Sequence, residues 1–287
     1  MNLLLEMLSP TFLLRDALVG SVLVGVVCPL VGVYFVLRRM IFLGVALPQL
    51  SAAGIAFAFL AYRTVVGAHQ HFEIGERVLA MLGSTGFTLG GLLALAAFER
   101  QGRATVEARI GATYGIAGAL TILFLAADPV GEAQMVNLLK GDLLATTGTG
   151  LTVLACVFGG VVATLFAFRK EFLLVSFDRD LAIVFGKRAG VWDTLLYLIS
   201  GLTIAFGVMT AGPIVTFGFL VIPPLTARLF TRHMLAFSLA SAIIGGVTSF
   251  LGFYCAYRFD LPLGPAEVAV ASAVLALAGA ADWMLKS

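Results

Sequence analysis

Apolar residues in this chain run on for about 17 to 25 positions at a time, separated by short polar clusters, and a stretch of that length matches the thickness of a bilayer. Candidate spans fall at 17–37, 41–62, 78–98, 110–127, 151–168, 191–211, 214–230, 234–257 and 268–285. The first ten or so residues read as a short interfacial helix. The stretch GVMTAGPIVTFGFLVIPPLTARLF holds either one broken helix or a re-entrant turn, or else two spans, so the pattern predicts eight or nine transmembrane helices. No internal repeat, low-complexity linker or soluble segment interrupts the series, and a single membrane domain over residues 1–287 is expected.

Composition agrees with the pattern. Of 287 residues, 60% are hydrophobic and 12% are charged, against about 25% charged in soluble domains. The fold class is all-α integral membrane, a multi-span helical bundle. The net charge of +2 gives no reason to expect nucleic acid as a partner. Cys28, Cys156 and Cys255 lie far apart in apolar stretches, without the spacing of a disulfide framework or zinc cluster. They read as small buried hydrophobes. The N-terminal residues lack a basic n-region and a cleavage site, and are expected to be retained.

Lys and Arg set the orientation. With the N-terminus outside, thirteen of the eighteen fall in inner segments, including Arg38, Arg39, Arg169, Lys170, Arg228 and Arg232. Glycine is abundant, 32 residues, and Gly86 with Gly90 and Gly111 with Gly115 stand four apart within spans. That spacing predicts close helix packing.

The densest charge cluster is FRKEFLLVSFDRDLAIVFGKRAGVWD, between the fifth and sixth spans on the inner side. Asp178 can cap a short helix and Asp180 sits in its first turn, where the dipole favours an anion. Leu181, Val184 and Phe185 share one face, and Gly186 ends the helix. Such a helix either lies on lipid headgroups or inserts as a knob into a partner's groove.

SFDRDLAIVFG resembles the FDxxxAxxxG coupling segment of the ABC-3 family, the permeases of bacterial zinc, manganese and iron ABC importers. TAGPIVTFGFLVIPPLTARLF, LPLGPAEVAV and PLVGVYFVLRRMIFLGVAL are similar to three further segments of that family, in the same order along the chain. The resemblance implies a type II ABC-importer-like permease in the bacterial inner membrane. It implies a homodimer with ATP-binding subunits beneath and a solute-binding protein above. Phe177, Asp178, Asp180, Leu181, Val184, Phe185 and Gly186 would form the coupling element. No phosphate-binding GxxxxGK[ST] loop is present, so ATP and Mg are expected in the partner subunit, with no cofactor and no enzyme activity in this chain.

In family members that carry free metal ions the second span reads GDALSHA, with an acid and a histidine four residues apart on one helix face. Here the stretch is GVALPQL, and Val45 and Gln49 take those places. Valine cannot ligate, and glutamine offers a neutral carbonyl and an amide. Pro48 removes the N–H that would pair with the Gly44 carbonyl, and irregular backbone at membrane depth is tolerated where it lines a cavity or packs on protein. Val45, Pro48 and Gln49 are therefore candidates for the transport path, neutral and without metal ligands. The cargo is expected to be a divalent metal. The alternative is a metal chelate or neutral organic molecule, for which the two substitutions speak.

Metal ligands elsewhere are few. His69, His71 and Glu73 alternate in the outer loop GAHQHFEIGER, where an extended strand would align them as a capture site. Glu267, just after LPLGP, reads as interfacial. Ser84, in GSTG, offers a nucleophile to an intramembrane hydrolase, but no histidine lies within a span to serve as base. A secondary transporter would call for membrane-depth acids or an inverted repeat.

Overall fold

A peptide group in hydrocarbon has no water to bond, so each apolar stretch closes its hydrogen bonds within itself as a helix. The computed structural model describes residues 7, 12, 14–66, 75–99, 106–127 and 148–286. Among them the secondary structure is helical: α1 (Arg15–Leu37), α2 (Leu43–Val66), α3 (Glu76–Glu99), α4 (Val106–Ala127) and α5 (Gly148–Ala167) come first. Two short helices follow, α6 (Arg169–Phe177) and α7 (Arg179–Val184). The chain closes with α8 (Ala189–Ala211), α9 (Pro213–Phe230), α10 (Met234–Phe259) and α11 (Leu263–Lys286). Nine of the described helices are long and apolar enough to span a membrane, which makes this a multi-pass integral membrane protein.

The ninth span is decided at Gly212. Its φ of 86° closes α8, and Pro213 starts α9 at the one place in a helix where a missing N–H costs nothing. Two separate helices result, so the broken single helix and the re-entrant turn are both set aside.

The spans differ in depth. In α1 and α2 78% of the span is buried, in α8 and α9 61% and 56%, and in the other five 17–28%. The bundle is thus a central pair, α1 and α2, flanked by α8 and α9 and walled by α3, α4, α5, α10 and α11. Burial in a bilayer gains little hydrophobic energy, because lipid is as apolar as leucine, so close packing carries the association. Two crossings show how. Pro29 leaves the Gly25 carbonyl of α1 without its helical donor, and Gly245 of α10 lies directly over that oxygen. Pro224 does the same to Leu220 of α9, and Gly32 of α1 covers it. A Cβ at either glycine would collide with the carbonyl. Only hydrogen there lets the backbones approach and lets Cα–H groups face the freed oxygens.

The glycines chosen by spacing lie elsewhere. Gly86, Gly90, Gly111 and Gly115 have open space where a Cβ would be, while α2 and α3 cross at Gly54 and Gly83. A four-residue spacing marks a flat stripe on a helix but carries no information about which helix, if any, meets it. Cys28 is buried, Cys255 half-buried and Cys156 exposed on α5, so the expectation of three buried cysteines fails for Cys156. Serine and threonine hydroxyls within the spans donate back to carbonyls one turn earlier, as Thr203 does to Ile199 at 2.9 Å and Ser200 to Leu196 at 2.8 Å.

Three arginine-bearing segments meet at one end of the bundle. Arg38 reaches Ser176 and Asp193, and Arg169 and Lys170 share a cavity with Met234. At the other end, Phe12 packs edge-on against Tyr257, ring centroids 5.5 Å apart.

Candidate functional site

The charged segment after α5 folds into two helices where the sequence pattern suggested one. Phe172 and Val175 bury the inner face of α6 against α1 and α8, and Trp192 of α8 packs on Phe168 and Phe172 with centroids 5.2 and 6.0 Å away. The charges of RKEF masked this face in the sequence, since Lys187 and Glu171 pair across the surface at 3.5 Å. Asp178 then breaks the helix with an extended backbone, φ −151°, and its carboxylate accepts from the Leu181 N–H at 2.9 Å. That is an N-cap, satisfying a donor α7 leaves orphaned. Gly186, at φ 71°, turns the chain toward α8.

Among the described side chains of α7, only Ala182 is buried, beside Val175 and Ala189. Phe177, Leu181, Ile183, Val184 and Phe185 are all exposed, Val184 by 80% and Phe177 by 69%. Asp180 is exposed beside them. This end of the molecule therefore carries a protruding apolar knob ringed by charge. The expected stripe of Leu181, Val184 and Phe185 faces away from the body.

Arg38 holds the knob's base, a role that no local pattern around it marks. Its guanidinium forms an ion pair with Asp193 at 2.8 Å, and Nε donates to Ser176 Oγ at 3.0 Å. It also lies 5.7 Å from the centre of the Tyr197 ring. One side chain at the end of α1 thus grips both α6, just before the knob, and α8, just after it. Both side chains of the ion pair are mostly buried, 10% and 16% exposed, where such a pair is hard to break. Arg39 beside it adopts a left-handed conformation, φ 56°, turning the chain sharply into α2.

The candidate path residues sit in the first two turns of α2. Val45 and Gln49 are half-buried on one face, and Pro48 is buried. The Gln49 side chain lies against Gly118 of α4, its Nε2 3.6 Å from where a Cβ would stand. α2 continues as a helix through Pro48. The proline falls six residues from the helix start, where its freed carbonyl belongs to Gly44 in the first turn. Gln49 thus borders α4, one of the least buried spans. His69, His71 and Glu73 lie outside the described residues. Among the described residues no group of three or more His, Cys, Asp or Glu side chains is placed to hold a metal ion.

Two further sequence readings are resolved. Ser84 is fully buried, shares a hydrogen bond with Ser51 Oγ at 2.6 Å and donates to the Ala205 carbonyl at 3.2 Å. It ties α2, α3 and α8 together and offers no nucleophile. Glu267 is fully buried in the protein between α1, α10 and α11. Ser21 donates to its Oε1, Ser21 and Ser249 share a hydrogen bond at 2.6 Å, and its Oε2 is buried without a partner. Helix α11 begins at Leu263, before the proline, and this turns position 267 inward.

Comparison with known proteins agrees with this architecture. The family model described as "ABC 3 transport family" matches residues 11–281. The "Manganese transport system membrane protein MntC" of Listeria monocytogenes is 26% identical over 276 residues, covering 96% of this chain and 93% of its own length. The "Probable iron transport system membrane protein" of Haemophilus influenzae is 27% identical over 263 residues, covering 91% and 86%. A solved structure, "PsaBC from Streptococcus pneumoniae in complex with Fab", shares the fold with a TM-score of 0.79 at 22% identity, covering 96% and 93%. With a match over nearly its whole length and nine spans to set beside it, the chain belongs to the ABC 3 transport family.

Proposed function

We propose that this chain is the membrane permease of an ATP-driven importer of a divalent metal, manganese, iron or zinc. It works as a homodimer in a bacterial inner membrane, between a solute-binding protein outside and ATP-binding subunits on the cytoplasmic side. The observation that carries this reading is the knob. Five large apolar side chains exposed at a polar end of a membrane protein invite a partner's groove. The grip of Arg38 on α6 and α8 gives a push on the knob a stiff route into α1 and α8. The relatives named for manganese and iron transport support a metal cargo. ATP and Mg belong to the partner subunit.

Val45 and Gln49 add a condition on the cargo's passage. A divalent ion sheds its water where enough oxygen, nitrogen or sulfur ligands replace it. Val45 supplies no ligand and the Gln49 carboxamide a single neutral oxygen, so the ion passes this level of α2 with most of its water shell retained. The test is uptake into proteoliposomes holding the permease with its ATP-binding subunits and solute-binding protein. Each of manganese, iron and zinc is offered separately and the lumen assayed by elemental analysis. ATP-dependent accumulation of one ion is expected. Accumulation only of a chelate or an organic ligand, with no free ion taken up, would overturn the cargo assignment.

A further inference from the structure

A cavity of about 210 Å³ opens between α1, α5, α6 and the start of α10, apart from both the knob and the α2 face. Its walls are mostly apolar, formed by Leu30, Leu165, Leu173 and Leu235, with Tyr34 and Ser238 beside them. Its mouth holds two consecutive cations, Arg169 and Lys170, both exposed. Neither makes an ion pair with an acid among the described residues, although Lys187 nearby does so with Glu171.

The position of these cations along the membrane normal is fixed by α5. That helix has 20 residues, about 30 Å of rise, which is the thickness of the hydrocarbon core. Arg169 and Lys170 follow directly past its end, at the level of lipid phosphates and at the arginine-rich end of the bundle. The cavity's rim is apolar as well, with the lining residues Phe166 on α5 and Leu235 on α10 exposed, and Leu239 exposed one turn beyond them. An apolar slot at hydrocarbon depth, open to an apolar surface and headed by two unpaired cations, matches a molecule with an acyl chain and a negatively charged head.

We propose that this groove is a binding site for an anionic phospholipid, with the phosphate between Arg169 and Lys170 and one acyl chain between Leu30, Leu165 and Leu235. A lipid there would brace the start of α10 against α6, the helix that leads into the knob. A zwitterionic lipid supplies the same chain but leaves the two cations without net compensation.

Native mass spectrometry of the full chain, released from mild detergent after equilibration with phosphatidylglycerol or phosphatidylethanolamine, tests this. One retained phosphatidylglycerol per chain is expected, with phosphatidylethanolamine largely lost. The double variant Arg169→Gln, Lys170→Gln should weaken phosphatidylglycerol retention about 30-fold, from roughly one kcal/mol per cation near a membrane surface. Leu235→Trp, which fills the slot from a half-exposed position, should lower retention while both cations remain. Arg232→Gln, at the same end but outside the groove, should leave it unchanged. Equal retention of both lipids overturns the proposal, as does full retention by the double variant. A lipid-free dimer would give the groove to a second copy of the chain and overturn it too. Should the double variant fail to fold, Leu235→Trp decides alone.

Discussion

At the knob, large apolar side chains stand exposed while Arg38 and Asp193 beneath them are mostly buried and paired with each other. On α2 Val45 and Gln49 are half-buried, and nothing charged stands at either position. The knob breaks the usual surface rule in the direction expected of a docking element. Its cost is borne by a rigid base, with Arg38 bound to Asp193 and Ser176 and Asp178 capping α7. The α2 face has lost charge where a metal-stripping site would need it. Specific chemistry is therefore concentrated at the base of the knob and is sparse at this level of α2.

Three variants sharpen the contrast. Arg38→Ala takes the guanidinium from Asp193 and Ser176 together. Breaking one side of such a mostly buried pair costs about 3 kcal/mol, and thermal unfolding in detergent should show a lower Tm together with weaker binding of the ATP-binding subunit. The double change Val45→Asp, Gln49→His places a carboxylate and an imidazole one turn apart on α2. Manganese affinity, read by calorimetry, should rise at least about tenfold, while uptake slows as the ion lingers. An unchanged affinity would show that this face of α2 does not border the path. Asp178→Ala removes the α7 cap at a cost of about 1 kcal/mol. Hydrogen exchange should quicken over 179–186 while the spans keep their protection.

How much of this was readable beforehand follows from how far apart the interacting residues lie. Span positions need only local hydropathy, and the two ends of α8 and α9 differ from the expected ones by two residues or fewer. The Asp178 cap, three residues from its Leu181 partner, is equally local. Long-range placement was not legible. Arg38 and Ser176 are 138 positions apart, and nothing in VLRRM names that partner. Ser21 and Glu267 are separated by 246, and so the acid beside LPLGP read as interfacial until α1 and α10 closed around it. The glycine stripes failed for the same reason. Gly54 meets Gly83 because α2 and α3 cross there, whereas Gly86 and Gly90, further along α3, meet nothing.

The claim on which the rest depends is that the exposed knob receives the ATP-binding subunit. Phe185→Asp tests it most directly, because the side chain is 66% exposed and its loss leaves the packing of α6 and α8 intact. Binding of the ATP-binding subunit to the purified permease should weaken at least about 30-fold, the loss expected for a central apolar anchor, with Tm unchanged. Wild-type affinity and undiminished ATP-driven uptake in the variant would contradict the assignment of the knob.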